Sequence, residues 1–278
     1  MTRHYFRWPL LLILFVFITT TPSSEAAKKK TSKSNAYISA RGAILMDAGT
    51  GKRLFVKNSN TRLLPASTTK VMTALLVLEK LDLDDYVTVS SRAVGMQPSK
   101  LNMRPGDQYK VRDLLYGILL NSANDASVVL AEAVAGSEWK FVQMMNQRAR
   151  RLGAKNTRFA NSNGLPSKAA QYSTAYDMAL IFREALKKDF FRQAVKMKYR
   201  TIYSRSGRRH YLKSHNKMLF KGWKKGVYGK TGYTRAARSC FVGHVQKGKR
   251  SLIVAVFGCS QRWDDIRRII ERYGGVDL

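Results

Sequence analysis

The chain has 278 residues, of which 45% are hydrophobic, and a formal net charge of +32 at pH 7. This length fits one large domain or two small ones, and such a charge favours polyanionic partners. The two cysteines and four histidines show no metal-ligand spacing, so neither a metal site nor a cofactor is expected.

The first 26 residues have the pattern of a cleaved export signal. Arg3 and Arg7 precede an apolar run at residues 9–18 that is too short to span a bilayer, and small residues stand at positions 24 and 26. The mature protein is expected to start near Ala27 in an extracytoplasmic space, the periplasm or the cell wall. Loss of two arginines and one glutamate with the signal would lower the formal charge from +32 to +31.

Residues 27–35 are expected to form a basic, flexible lead-in. No second apolar stretch could cross a membrane, so a soluble protein without a transmembrane anchor is expected after signal removal. Export argues against nucleic acid as the partner, although Tyr199, Tyr203 and Tyr211 lie among arginines. Anionic wall polymers and lipid headgroups are the partners that remain, and a charge that only keeps the protein soluble is an equal alternative.

The predicted elements begin with strands at residues 37–48 and 53–57, which flank a hairpin signal at residues 49–51. Residues 67–81 are apolar on nearly every face, which is typical of a buried central helix. The other predicted elements are short strands at 86–90 and 108–111, helices at 114–120, 126–135, 139–152 and 174–188, a strand at 198–204, three strands within 226–259 and a final helix at 263–272.

Strands at both ends with helices between them predict an α+β fold, in which an antiparallel sheet is built from the two termini and carries a helical insert. No repeat or linker interrupts residues 36–275, which are expected to form a single domain. Cys240 and Cys259 fall at nearly opposed positions on neighbouring predicted strands. A disulfide between them and two buried free thiols are both open.

Ser67 and Lys70 stand at the start of the predicted central helix, three residues apart and therefore on one face. A serine hydroxyl becomes a good nucleophile when an adjacent base takes its proton, and backbone N–H groups at a helix start can stabilise an oxyanion. A capping serine beside a solvent-exposed lysine is the alternative. Because a charged lysine is costly to bury on an apolar helix, a functional pair is favoured, with Lys70 as the base.

The same Ser-x-x-Lys spacing recurs at Ser137 and Ser214. Ser137 has the position of a cap on an amphipathic helix, with Lys140 on its polar side, and Ser214 lies in a basic, irregular stretch. Both are expected to be structural.

Ser122 and Asn124 lie in a predicted loop between two helices. A hydroxyl there could pass a proton to a leaving amine, and a carboxamide could hold a substrate amide. Considered without the other motifs, ordinary capping of the following helix by Asn124 or Asp125 is the better explanation.

Lys230, Thr231 and Gly232 occupy a predicted strand and form the most specific of the three motifs. Lys230 would present a cation to a substrate carboxylate and to Lys70 and Ser122. Thr231 would add a hydroxyl on the same target. Gly232 leaves room for an extended substrate to lie against the strand. The backbone N–H of Tyr233 could supply a second oxyanion donor.

Three motifs of this kind, in this order, occur together in serine β-lactamases and penicillin-binding proteins. The matching segments are Leu64-Pro65-Ala66-Ser67-Thr68-Thr69-Lys70, Asn121-Ser122-Ala123-Asn124-Asp125, Asn161-Ser162-Asn163-Gly164-Leu165-Pro166 and Gly229-Lys230-Thr231-Gly232-Tyr233-Thr234. On these segments the chain resembles the D-alanyl-D-alanine carboxypeptidases, the low-molecular-mass penicillin-binding proteins of serine peptidase family S11.

The resemblance implies a β-lactamase/penicillin-binding-protein transpeptidase-like fold and an enzyme that trims peptidoglycan stem peptides ending in D-Ala-D-Ala. Ser67 would form the acyl-enzyme, also with penicillins, and Lys70 would be its base. Ser122 would pass the proton to the leaving D-alanine. Lys230 would hold the terminal carboxylate, helped by an arginine near the last strand, for which Arg262 is the candidate.

Two departures from the family pattern are visible. The chain is expected to lack the extra C-terminal β-domain and the membrane-binding helix of many relatives, an outline closer to family members that cleave cross-links as D,D-endopeptidases. Tyr233 also stands where histidine is frequent in relatives, although only its backbone is needed.

Two further functions were weighed against the carboxypeptidase. A β-lactamase is disfavoured because the glutamates between the second and third motifs, Glu132, Glu138 and Glu184, all fall in predicted helices. A non-catalytic wall-binding protein would keep the fold and use the basic surface, but the intact motifs argue against it.

Overall fold

The computed structural model describes residues 1, 2, 4, 5 and 37–278. Apart from those four N-terminal residues, the predicted export signal and basic lead-in lie outside the described residues, and both stay predictions. Within the described part, no helix is long and apolar enough to cross a membrane.

The described strands and helices follow one another in the order that the sequence predicts, and several short elements are added. In chain order the strands and helices are β1 (Gly42–Asp47), β2 (Arg53–Lys57), α1 (Lys70–Lys80), β3 (Tyr86–Thr88), α2 (Ser91–Val94), β4 (Gln108–Lys110), α3 (Val111–Tyr116), α4 (Asn124–Ala135), α5 (Glu138–Arg151), α6 (Ala175–Ala185), α7 (Asp189–Ala194), β5 (Tyr199–Tyr203), β6 (Arg209–Lys213), β7 (Val227–Thr234), β8 (Arg238–Lys247), β9 (Arg250–Cys259) and α8 (Arg262–Ile269). Short 3₁₀ turns span Ala66–Thr69 and Lys217–Phe220, and π turns span Gly117–Asn121 and Ile270–Gly274.

The main sheet has five strands in the order β2-β1-β9-β8-β7, and every neighbouring pair is antiparallel. Its first two strands come from the start of the domain and its last three from the end, which confirms the predicted α+β fold. Two small two-stranded sheets, β3–β4 and β5–β6, lie within the helical insert and beside it.

The main sheet is covered on both faces. Along β1, Ile44 and Met46 join the core formed with α1, α4 and α6, whereas Ala43 and Leu45 join the core formed with α8. Side chains alternate between the two faces of a strand, so a strand that is buried on both faces is apolar throughout. α1 is buried from Lys70 to Val77, as predicted for the central helix.

The sequence reading missed α2, α7 and β6. The segment Arg209–Lys213 has four polar or aromatic residues around one leucine and was expected to be a basic loop. It forms a strand because Leu212, together with Ile202 of β5, is buried on the inner face of the hairpin. One buried side chain per strand gives almost no periodic signal.

Cys240 and Cys259 are both free and buried. They belong to different cores, Cys240 on the side of α1 and Cys259 on the side of α8. The structure therefore favours two separate thiols over the disulfide.

Candidate active site

The turn Ala66–Thr69 carries Ser67 into the site and leads directly into α1. Ala66 has a φ of 46°, a left-handed conformation that is uncommon for a residue with a side chain and that requires support from surrounding contacts. Ser67 is partly exposed, whereas its neighbours on the turn are buried. The predicted helix at 67–81 is therefore an α-helix from Lys70 preceded by one tight turn that presents the hydroxyl.

The strand β7 lies directly against this turn. A Cβ atom at Gly232 would come within 3.0 Å of the backbone nitrogen of Ser67 and 3.1 Å of the carbonyl oxygen of Pro65. A side chain at position 232 would require the Ser67 turn to give way by a few tenths of an ångström, so Gly232 allows the third motif to lie directly against the first.

Lys70 is 0% exposed, and its Nζ atom has three polar neighbours. It lies 3.3 Å from Ser67 Oγ, and it donates to Asn124 Oδ1 at 2.7 Å and to the carbonyl oxygen of Asn163 at 2.7 Å. Burial, and then the charge of Lys230, hold the pKa of Lys70 well below its usual value. A neutral amine in this place can accept a proton.

Ser122 ends the π turn before α4 with a φ of 61°. Its Oγ accepts a hydrogen bond from Lys230 Nζ at 3.1 Å. Asn124 is the first residue of α4 rather than a loop residue, and its Nδ2 donates to the carbonyl oxygen of Gln97 at 2.8 Å. The carboxamide is therefore fixed at both ends, by Gln97 and by Lys70.

Lys230 is 1% exposed and also donates to the carbonyl oxygen of Thr231 at 2.9 Å. Burial, and then the charge of Arg262, lower the pKa of Lys230 to about 7. Thr231 is buried, and the Tyr233 side chain is 68% exposed. This fits the expectation that only the backbone of Tyr233 is needed.

Arg262 lies behind β7 at the start of α8. Its Nη1 donates to the carbonyl oxygens of Gly232 at 3.1 Å and Cys240 at 3.0 Å, and its guanidinium stacks 4.1 Å from the centre of the Trp263 ring. Arg262 therefore links β7 to β8 through these two carbonyl oxygens and adds a positive charge close to Lys230.

Two segments outside the motifs also support the site. The loop at residues 161–166 supplies the Asn163 carbonyl, and it is tied to α5 because Glu138 accepts from the backbone nitrogen of Ser162 at 3.0 Å and from its hydroxyl at 2.7 Å. Thr73 on α1 donates to the Ser162 carbonyl. The family resemblance includes this loop, but no sequence pattern indicated a role for Glu138.

The rival Ser-x-x-Lys sites are outside this cluster. Ser137 caps α5 by accepting from the backbone nitrogen of Lys140 at 3.3 Å, and the Lys140 side chain is exposed. Ser214 bonds the backbone nitrogen of Asn216. The other two glutamates between the second and third motifs are bound elsewhere, Glu132 to Ser90 and Glu184 to Arg148.

A family model described as D-alanyl-D-alanine carboxypeptidase, peptidase family S11, matches residues 28–261. The chain belongs to this family. It is 39% identical over 256 residues to D-alanyl-D-alanine carboxypeptidase DacF of Bacillus subtilis, a match that covers 90% of this chain and 65% of that protein. It is 35% identical over 214 residues to DacB2 of Mycobacterium tuberculosis, covering 77% of this chain and 72% of that protein. The chain thus spans just under two thirds of the Bacillus relative.

Solved structures of family members share the fold. The Streptomyces K15 DD-transpeptidase superposes with a TM-score of 0.79 at 32% identity, covering 86% of this chain and 98% of that one. D-alanyl-D-alanine carboxypeptidase from Mycobacterium tuberculosis gives a TM-score of 0.79 at 32% identity, covering 85% and 90%. The penicillin-binding-protein fold expected from the motifs is therefore confirmed.

Proposed function

We propose that the protein is an exported serine-type D-Ala-D-Ala carboxypeptidase that removes the terminal D-alanine from peptidoglycan stem peptides through an acyl-enzyme on Ser67. One observation carries the proposal: the buried Nζ of Lys70 lies 3.3 Å from Ser67 Oγ and has a strongly lowered pKa. A neutral amine beside a partly exposed serine hydroxyl is the pair that nucleophilic acyl transfer needs.

In the acylation step, Lys70 takes the proton of Ser67. A neutral amine has two N–H donors and one lone pair. The acceptors Asn124 Oδ1 and Asn163 O would hold the two donors, which leaves the lone pair for the Ser67 hydroxyl. Ser67 Oγ then attacks the carbonyl carbon of the penultimate D-alanine, and the C–N bond to the terminal D-alanine breaks.

The oxyanion formed in this attack would be stabilised by the backbone N–H groups of Ser67 and Tyr233. Among the described residues the Ser67 amide nitrogen has no backbone acceptor, so its N–H is available. Gly232 lies close to this nitrogen, and the N–H of the next residue, Tyr233, would be the second donor.

The leaving D-alanine needs a proton on its nitrogen. Ser122 would supply it from its hydroxyl and take a proton in turn from Lys230 Nζ, which donates to Ser122 Oγ at 3.1 Å. Water would then hydrolyse the ester on Ser67 and release the shortened stem peptide. The proton of the attacking water would pass through Ser122 back to Lys230, and Lys70 would return its proton to Ser67 Oγ.

Substrate binding would depend on positive charge. Lys230 and the Thr231 hydroxyl would hold the terminal carboxylate, and Asn124 would hold a substrate amide. Arg262 would act as a positioning residue, since its Nη1 is occupied by two backbone carbonyls. Asp125, next to Asn124 in the chain, is buried, and its carboxylate accepts from the backbone nitrogens of residues 101, 102 and 126.

The same proposal assigns the protein a cellular compartment and a class of covalent inhibitors. The export pattern at residues 1–26 would deliver the enzyme to the periplasm or cell-wall space, where stem peptides are found. β-Lactams would acylate Ser67 as substrate mimics, and anionic wall polymers would associate with the basic surface.

Purified muropeptides and mass spectrometry test the activity. We expect the protein to remove one alanine from pentapeptide monomers and the Ser67→Ala variant to remove none. Ser137→Ala is the matched control, because it changes the other serine that stands three residues before a lysine at a helix start. It should keep full activity and lose about 1 kcal/mol of stability as a cap is removed.

Other outcomes would assign the site differently. Cleavage of cross-linked dimers with pentapeptides untouched would make the protein a D,D-endopeptidase that uses the same residues. Absence of turnover together with no penicillin labelling of Ser67 would contradict the enzyme and leave a wall-binding protein.

A further inference from the structure

A second pocket, of about 710 Å³, lies at the other end of the main sheet from Ser67. On β8, Cys240 pairs with Gly232 at the active site, whereas Gln246 lines this pocket six residues further along. At 3.3 Å per residue the two ends are about 20 Å apart. The pocket is therefore separate from the proposed catalytic groove.

Positive side chains from four segments of the chain converge on this pocket: the end of α6, the helix α7, the segment after it and the β8–β9 turn. The cations that line it are Arg183, Lys187, Arg192, Lys196, Lys249 and Arg250. One carboxylate, Asp47, lines it with them.

The carboxylate of Asp47 is already satisfied. It accepts from the backbone nitrogen of Thr50 at 2.8 Å and from Nε of Arg250 at 2.7 Å, and the Thr50 bond first, then Arg250, lower the pKa of Asp47 to about 2. Asp47 therefore neutralises Arg250 and leaves the other five cations of the pocket unopposed by any lining carboxylate.

Two of those five have partners outside the pocket, Lys187 with Glu184 and Arg192 with Asp189. The remaining three, Arg183, Lys196 and Lys249, form no ion pair with a carboxylate of the described residues. Arg183 donates through Nε and Nη2 to the carbonyl oxygens of Ala48 and Gly49, which fix the guanidinium but do not neutralise its charge. The sequence explains this excess, because no acidic residue occurs between Asp189 and Asp264, a stretch that holds 19 lysines and arginines.

A buried histidine provides an independent observation. His244 lines the pocket, is 5% exposed and bonds Ser251 Oγ through Nδ1 at 3.0 Å. Its Nε2 atom has no hydrogen-bond partner in the described part of the chain. A buried polar atom without a partner costs free energy, and such an atom commonly indicates a missing ion or water.

We propose that this pocket, around Arg183, Lys196, Lys249 and His244, binds a phosphate-type anion. Three cations without a carboxylate partner exceed what one carboxylate can neutralise, whereas a phosphate group offers up to two charges and several acceptor oxygens to lysine and arginine donors. Thr50 and Ser251 add hydroxyl groups to the lining. The phosphate could belong to a small soluble compound or to a phosphodiester polymer, and binding experiments distinguish the two sources.

The test measures binding by isothermal titration calorimetry with the full chain, using inorganic pyrophosphate in one arm and short poly(glycerol phosphate) in the other. The double variant Lys196→Gln/Lys249→Gln should weaken binding by roughly tenfold or more, since each removes a charged contact. Lys140→Gln/Lys155→Gln is the matched control: it removes two equally exposed lysines that do not line this pocket, and it should change binding less than about twofold.

Selective loss in the pocket variant with pyrophosphate supports a small-compound site, and selective loss with the polymer alone supports a phosphodiester site. Equal loss in both double variants, or absence of binding by the unaltered chain in both arms, would overturn the proposal. Penicillin labelling of Ser67 should be the same in all these proteins. Failure of the anion site is therefore distinguishable from failure of the proposed enzyme.

Discussion

Gly164 lies so close to Ala66 that a Cβ atom on Gly164 would come within 1.9 Å of the Ala66 carbonyl oxygen. Gly164 itself has a φ of +83°, and Ala66 has a φ of 46°. Two left-handed residues from segments almost one hundred positions apart thus support each other. The loop at 161–166 therefore holds the turn that presents Ser67 in its uncommon conformation.

Replacing Gly164 with alanine should displace this turn. We expect the rate of penicillin acylation to fall by roughly a hundredfold or more, since misplacement of the nucleophile by about 1 Å has that effect. The free energy of unfolding should fall by about 3 kcal/mol. Fluorescent penicillin labelling and urea unfolding measure the two quantities.

Gly106→Ala is the control for backbone strain. Gly106 also has a φ of +83°, but a Cβ atom there would meet nothing within 4 Å. We expect this variant to lose only about 1 kcal/mol and to keep its acylation rate. Similar acylation rates in the two variants would contradict a role of the Gly164 contact in positioning Ser67.

Glu138 should affect acylation without touching the substrate. It holds Ser162, whose neighbour Asn163 accepts from Lys70, so Glu138→Ala should loosen that contact and slow acylation about tenfold. Glu132→Ala also removes a carboxylate that accepts from a serine hydroxyl, that of Ser90, and it lies in α4 eight residues after Asn124. It should reduce stability and leave the acylation rate unchanged; equal slowing in both variants would show that general destabilisation is the cause.

Much of the fold could be predicted because its elements carry strong patterns. β9 is buried on both faces and apolar from Leu252 to Phe257, and α1 is buried on nearly all sides and apolar from Val71 to Leu78 except at Thr73. The sequence does not predict β6 because Leu212 is its only buried residue. It does not predict the helices α2 and α7 because segments of four and six residues are too short to show a helical period.

The motif residues of the site were also readable, because each carries a chemical group at a short, fixed spacing. The contacts between segments were not. Lys70 and the Asn163 carbonyl are 93 positions apart, and the latter is a backbone atom that any residue could supply. Gly164 is a second example. The sequence does not show that the Ala66 carbonyl oxygen lies where a side chain at position 164 would be.

The thiols of Cys240 and Cys259 should be unreactive in the folded protein. Burial raises the pKa of Cys240 to about 11 and raises that of Cys259 as well, and only the thiolate reacts readily with alkylating reagents. We expect iodoacetamide at pH 7.5 to add nothing to the native protein and two groups in urea, read by intact mass. A mass two units lower, with no alkylation in urea, would instead reveal a disulfide.

The stability of the protein should rise between pH 7 and about 10.5 through Lys230. The folded-state pKa of Lys230 is about 7 and the unfolded value is 10.5, so in this window the unfolded chain binds more protons and folding is favoured as pH rises. Lys230→Met lacks this contribution. At pH 6 the free energy of unfolding of Lys230→Met should exceed that of the unaltered protein by an amount on the order of several kcal/mol. This advantage should shrink by pH 10. An advantage that is independent of pH would contradict the lowered pKa.

The pH dependence of acylation should depend on Lys230 only when the reagent has a carboxylate. Acylation needs Lys70 neutral, and binding a carboxylate needs Lys230 protonated, so the rate with a penicillin should fall as pH rises above about 7. A neutral fluorophosphonate, which has no carboxylate, should show no such fall. Lys230→Arg should move the fall with penicillin to higher pH, because a guanidinium keeps its charge. A parallel fall with both reagents would mean that Lys230 acts through Ser122 rather than by holding the carboxylate.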